Sequence, residues 1–153
     1  MANIIFANFM MLLWISLGAI ACYFFYPMLA LFFLAFAIIM VYIVLRKLVC
    51  TNCYYYNKRC SMGWGKISAL LFEKGDIEDF SDSIGIKIAP LVYGLLSIVP
   101  IILIIISIFQ EFLISKAVVL ILLLLISFYS GISRKKTCSK CKMRIICPGS
   151  AVK

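Results

Sequence analysis

Apolar positions in this chain fall into four long blocks, at residues 4–26, 28–45, 86–109 and 112–131. Polar positions collect in the connection between the second and third blocks and after the fourth. A helix needs about 20 apolar residues to cross the hydrocarbon core of a bilayer, so each block predicts a transmembrane helix. Tyr26-Pro27 separates the first two blocks, and proline suits the opening turn of a helix because an N–H there has no intrahelical acceptor. Gln110-Glu111 separates the last two. Connections this short make the helices of each pair antiparallel neighbours. The aromatic run from Tyr23 to Tyr26 belongs at a membrane interface. Pro90 falls in the opening turn or so of the third block. Pro100 lies inside it and predicts a kink, since it removes one backbone bond and crowds the preceding turn. Gly18 with Cys22, and Ser127 with Gly131, are small residues four apart, a spacing that lets a neighbouring helix approach closely. Cys22 reads as packing, because a buried free cysteine behaves as a small hydrophobe.

The polar segments repeat. Arg46-Lys47-Leu48-Val49-Cys50-Thr51-Asn52-Cys53, closed by Cys60, returns as Arg134-Lys135-Lys136-Thr137-Cys138-Ser139-Lys140-Cys141, closed by Cys147. Each copy follows directly on an apolar block. The expectation is an all-α membrane protein with four transmembrane helices in two tandem hairpins, each hairpin followed by a Cys-x-x-Cys…Cys head. The divisions are a first hairpin over 1–49, a cysteine head with its following segment over 50–86, a second hairpin over 87–131, and a basic cysteine tail over 132–153. Two such repeats share one orientation, so the axis relating them should run along the membrane normal. Within 50–86, Gly63-Trp64-Gly65 predicts a turn. Trp64, Ile67, Leu70 and Leu71 share a helical face, which predicts a short amphipathic helix lying in the interface or packed on the head. Five of the six acidic residues lie between Glu73 and Asp82. Their spacing lacks the alternating ligands of a calcium loop, so they are expected to form a solvated segment facing the basic tail.

Composition agrees with a lipid environment. Apolar residues make up 65% of the 153 and mean hydropathy is +1.13, against about 45–50% apolar in soluble domains. The start is apolar and has no Lys or Arg before Arg46, unlike a secretory signal, so the first block is expected to stay as a span. Fifteen basic residues against six acidic ones would suggest nucleic acid in a soluble chain. Here they mark topology and attraction to anionic headgroups. Seven basic residues lie from Arg46 to Lys87 and seven from Arg134 to Lys153, with Lys116 alone near the opposite side. By the positive-inside rule both termini and both heads are cytoplasmic, with no nucleic-acid partner implied.

The chemistry lies with the cysteines. There is no histidine, so a cysteine nucleophile lacks its usual base and any metal site must rest on thiolates, carboxylates or outside ligands. The cytoplasm is reducing, which disfavours structural disulfides. Two Cys-x-x-Cys pairs are a familiar source of four thiolates for tetrahedral zinc. The candidate metal ligands are Cys50, Cys53, Cys60, Cys138, Cys141 and Cys147, and flanking Lys and Arg are expected to lower thiol pKa values. Zinc on Cys50, Cys53, Cys138 and Cys141 leaves Cys60 and Cys147 for a second site or spare. A separate metal on each head, held by its three sulfurs and an outside ligand, and an iron–sulfur cluster are the other metal readings, although Cys147-Pro148 lacks the upstream ferredoxin spacing. The spans carry almost no ionisable residue, which disfavours a pump or carrier. The expected role is a structural, adaptor or assembly subunit in the bilayer, with a membrane-protein partner or a second copy, presenting Tyr54, Tyr55, Tyr56 and Trp64 to it. The alternative is a membrane thiol oxidoreductase passing electrons between the cysteine pairs and a quinone or cluster.

Overall fold

A computed structural model describes residues 2–58, 60, 64–81, 83–145, 147 and 150–152, with backbone only at 2–4 and 79. Arg59, Gly63, Asp82, Pro148 and Gly149 therefore lie outside the described residues, as does the carboxylate of Asp79. All regular structure among the described residues is helical: α1 (Ala2–Tyr23), α2 (Pro27–Ile38), α3 (Trp64–Leu71), α4 (Ile84–Gln110) and α5 (Ile114–Ser139). Four segments are long and apolar enough to cross a membrane, namely Ile5–Tyr23, Pro27–Cys50, Ile84–Gln110 and Ile114–Ser139. Only 17–28% of each is buried within the chain. The remaining apolar surface, with Phe32 73%, Phe109 86% and Phe128 72% exposed, is a surface for lipid.

Two spans run further than the apolar pattern implies. α2 continues past Ile38 as π-helical turns, Ile39–Val44 and Arg46–Cys50, so Cys50 ends a helix instead of sitting in a loop. α5 continues through the basic run to Ser139, which puts Cys138 in its last turn. No Gly or Pro interrupts residues 132–139, Arg and Lys are good helix formers, and cations suit a helix C-terminus. The π turns have a packing consequence. Four residues turn an α-helix slightly past one revolution, while i→i+5 winding falls short of one. Mixing the two keeps Phe33, Ala37, Val41 and Leu45 buried in one stripe and brings Arg46 inward as well. α4 runs unbroken through Pro90 and Pro100. It starts at Ile84, so Pro90 lies beyond its first turn.

α1 is the middle of the bundle, in contact with α2, α4 and α5. One of its faces packs Ile15 and Cys22 against Phe33, Ala37, Val41 and Leu45 of the second span and Val92 and Leu96 of α4. The other packs Leu17 against Leu123 and Ile126 of α5, where Trp14 Nε1 donates to Ser127 Oγ at 3.2 Å. Ser127 thus works as a hydrogen-bond acceptor, and its expected partner in close packing, Gly131, faces open space. At Gly18 a methyl group would stand 2.8 Å from the Phe33 ring, so the α1–α2 approach depends on that residue having no side chain. Cys22 is fully buried in the same core.

The end bearing the two tight turns is tied by polar bonds. Ser107 Oγ donates to the carbonyl of Phe24 at 2.9 Å. Lys116 Nζ, 5% exposed, donates to the carbonyls of Ser107 at 3.0 Å and Glu111 at 3.1 Å. The lone basic residue of this end therefore caps the C-terminus of α4, where carbonyls lack intrahelical donors.

Gly18→Val is expected to cost about 1–3 kcal/mol through overpacking against Phe33. Gly131→Ala should be neutral or stabilising by up to about 1 kcal/mol, since it adds helix propensity in open space. Thermal unfolding of the two variants in the same detergent checks the pair, and equal melting temperatures would contradict the α1–α2 packing described.

Candidate functional site

Both cysteine heads lie at the other end of the bundle, and the turn at each pair is built alike. The Cys53 N–H reaches the carbonyl of Cys50 at 3.5 Å, and the Cys141 N–H reaches that of Cys138 at 3.1 Å. Three residues on, Tyr56 N–H donates to the Cys53 carbonyl at 2.9 Å and Arg144 N–H to the Cys141 carbonyl at 3.2 Å. Each pair therefore extends its helix by one loosening turn, which carries the second sulfur clear of the span.

The heads meet over a small apolar centre. Phe80, Ile86 and Met143 are buried together, with Val49, Cys53, Tyr54 and Tyr55 of the first head and Cys141 and Cys147 of the second packed around them. Phe80 ends the short 3-10 turn Glu78–Phe80. The acidic segment thus reaches the basic tail through an aromatic plug that meets Met143. Two further contacts join loop and tail: Lys142 N–H donates to Tyr55 Oη at 3.4 Å, and the Lys142 ammonium lies 5.3 Å from the Tyr54 ring centre. Lys58 lies 4.1 Å from the same ring. Lys142 first, then Lys58, hold the Tyr54 phenol below its ordinary pKa.

The loop between Cys53 and Cys60 folds back on α3. Asn57 takes a left-handed conformation with φ 55°, which asparagine tolerates better than most residues, and its N–H donates to the Gly65 carbonyl at 2.9 Å. A side chain at Gly65 would strike the carbonyl oxygens of Tyr55 and Lys58. Gly65 and Ser68 form the buried side of α3, while Ile67, Leu70 and Leu71 are exposed, Leu70 at 85%. Trp64 departs from the face expected of it. Its Nε1 donates to Asn8 Oδ1 at 2.8 Å, its ring packs on Tyr42 at 5.3 Å, and the Arg46 guanidinium lies 4.7 Å above it. Nor is Trp64 in a turn, since it opens α3. Tyr56 Oη donates to the Phe72 carbonyl at 2.8 Å, and Tyr54, Tyr55 and Tyr56 are half-buried. These aromatics hold the head together.

All seven cysteines are free thiols, the six head ones half-buried and Cys22 far from them in the core. Cys53 is the meeting point. Its thiol is pushed from an ordinary 9.0 up to about 11, chiefly by burial, with Cys50, Cys141 and Cys60 adding to the rise and a backbone hydrogen bond at Tyr55 opposing it. The lowering expected from flanking Lys and Arg is overturned here, because desolvation and neighbouring thiols dominate at this buried sulfur. Cys147 joins the same apolar centre, while Cys138 is linked to it through the turn to Cys141. As the side chains stand, no group of three or more Cys, Asp or Glu among the described residues is arranged to hold a metal ion. Phe80 was the legible member that sequence reasoning passed over, as the only aromatic in the acidic run. Met143 and Asn8 carry no comparable signal.

Cys53 should alkylate slowly at neutral pH, with about one thiol in a thousand ionised at pH 8 for a pKa near 11. Its rate should keep rising between pH 9 and about 11. The linked stability effect has the same window: above pH 9 only the unfolded chain loses this proton, so stability falls as pH rises towards 11. Mass-spectrometric alkylation profiles of metal-free protein check this, and a Cys53 midpoint at or below 9 would contradict it. No family model, curated protein or solved structure matches the chain.

Proposed function

We propose that this is a small multi-pass membrane protein whose two cytoplasmic heads together hold a thiophilic metal ion, zinc before an iron–sulfur cluster. Its role is that of a structural, adaptor or assembly subunit of a membrane complex. The observation that carries this reading is the packing of Cys53 of the first head and Cys141 and Cys147 of the second on one apolar centre. Clustered thiols resist joint ionisation because like charges repel. A bound divalent cation reverses that balance and deprotonates its ligands. Cys50, Cys53 and Cys141 supply three donors, and Cys138 or Cys60 the fourth. The metal would then clip the loop to the tail and so one hairpin to the other, and the shared turn geometry of the two Cys-x-x-Cys pairs accords with a tandem repeat.

Thiol oxidoreduction remains the second reading. An attacking cysteine works as a thiolate, and the upward shift of Cys53 runs against that role. The basic residues favour a cytoplasmic placement of the heads: fourteen of fifteen are on the head-bearing segments, and Lys116 is hydrogen-bonded to the end of α4. The exposed apolar faces of the four spans suit lipid, a membrane-protein partner or a second copy.

Elemental analysis of purified protein should find about one zinc per chain, reduced at least severalfold in Cys53→Ser and Cys141→Ser. Iron with labile sulfide would select the cluster, and a metal-free chain with six reactive head thiols would sink both metal readings. A membrane-impermeant thiol reagent should leave Cys53 and Cys141 unmodified in intact cells and label them after permeabilisation. Rapid labelling from outside would reverse the orientation.

A further inference from the structure

Arg46 opens the first copy of the head motif and is 8% exposed. A buried charge is costly unless it is paired and hydrogen-bonded. Arg46 has the Trp64 ring 4.7 Å from its guanidinium carbon and a long contact from Nη2 to Met11 Sδ at 3.8 Å. Its Nε has no hydrogen-bond partner among the described residues, and neither has the Tyr42 hydroxyl, buried one turn earlier on the same helix. Both side chains lean on one indole, Tyr42 with ring centres 5.3 Å apart, so two orphan donors stand at one place. Tyr93 of α4 lies within electrostatic reach of Arg46 and also of Arg134, the residue that opens the second copy of the motif. The helix that carries Arg46, and α1 beside it, contain no Asp or Glu.

We infer that this junction binds a phosphate group of the kind an anionic lipid headgroup carries, with Arg46 and Tyr42 as donors and Arg134 as the second positive charge. Guanidinium suits phosphate because its N–H groups form a fork that matches the oxygens. The site stands where the spans end, which is the depth of the headgroups. Lys47, Lys135 and Lys136 are exposed beside the two arginines, a basic collar that concentrates anionic lipid at that level. Free inorganic phosphate shares the chemistry. The inference does not depend on a metal in the heads.

Native mass spectrometry of protein released from bilayer discs containing phosphatidylglycerol and phosphatidylcholine tests it, alongside thermal shift with inorganic phosphate. The expected result is one phosphatidylglycerol retained per chain, bound about tenfold more tightly than phosphatidylcholine, the size of one charge-assisted hydrogen-bonded contact. Arg46→Met should abolish the preference. Tyr42→Phe keeps the ring on Trp64, so it should weaken retention severalfold while the melting temperature in phosphatidylcholine stays unchanged. This second variant keeps the test sound should Arg46→Met fail to fold. A shift with millimolar inorganic phosphate, lost in Tyr42→Phe and without any lipid preference, would uphold the phosphate site and overturn its lipid occupant. Equal retention of both lipids with no response to phosphate, or Tyr42→Phe binding like the parent, would overturn the site itself.

Discussion

Lipid tails are as apolar as leucine, so helices in a bilayer gain little by hiding hydrophobic surface from one another. They associate through close packing and a small number of hydrogen bonds. α1 meets both conditions and the rest of the chain is assembled on it. Its bare position at Gly18 admits the Phe33 ring, which seats the second span. Its Trp14 indole bonds to Ser127 on α5, and Asn8 takes the Trp64 indole of α3. One helix therefore positions the other three spans and also the segment that carries the first head. Loosening its contact with α2 would displace Arg46 and Cys50 along with Phe33.

The four candidate spans were legible because length and apolarity speak directly to bilayer crossing. Their ends were not. The apolar pattern stops near Leu45 and Gly131, whereas the helices go on to Cys50 and Ser139. Backbone hydrogen bonding does not stop where hydropathy does, and Arg and Lys continue a helix as readily as Leu. The π turns after Ile38 have no mark in the sequence, since no Gly or Pro stands there. The small-residue rule succeeded at Gly18 and failed at Gly131. Spacing four apart says that a helix could approach, and only the placement of neighbours decides whether one does.

The repeated cysteine motif identified the candidate site, and the short connections implied that its two copies would emerge at one end. What joins them was less visible. Phe80 and Met143 make the centre on which Cys53, Cys141 and Cys147 rest, and each stands in a short irregular stretch where no periodicity singles it out. The expected effect of nearby Lys and Arg on the thiols depended on charge counted along the chain. At Cys53 burial decides instead, and burial is a property of the assembled head. Trp64 shows the same thing in another form: it shares the helical register of Ile67, Leu70 and Leu71 but turns away from them to Asn8, Tyr42 and Arg46.

The polar knot around Lys116 also bears on how such a chain enters a membrane. The end that holds the two tight turns carries Glu111 and Lys116 and no other Asp, Glu, Lys or Arg between Met1 and Leu45 or between Ile88 and Ser133. The two charges cancel. Drawing this end through the bilayer moves no net charge across the transmembrane potential, so the field neither drives nor resists the transfer. Direction is left to the basic segments at the other end, and Lys116 carries its hydrogen-bond partners with it on α4.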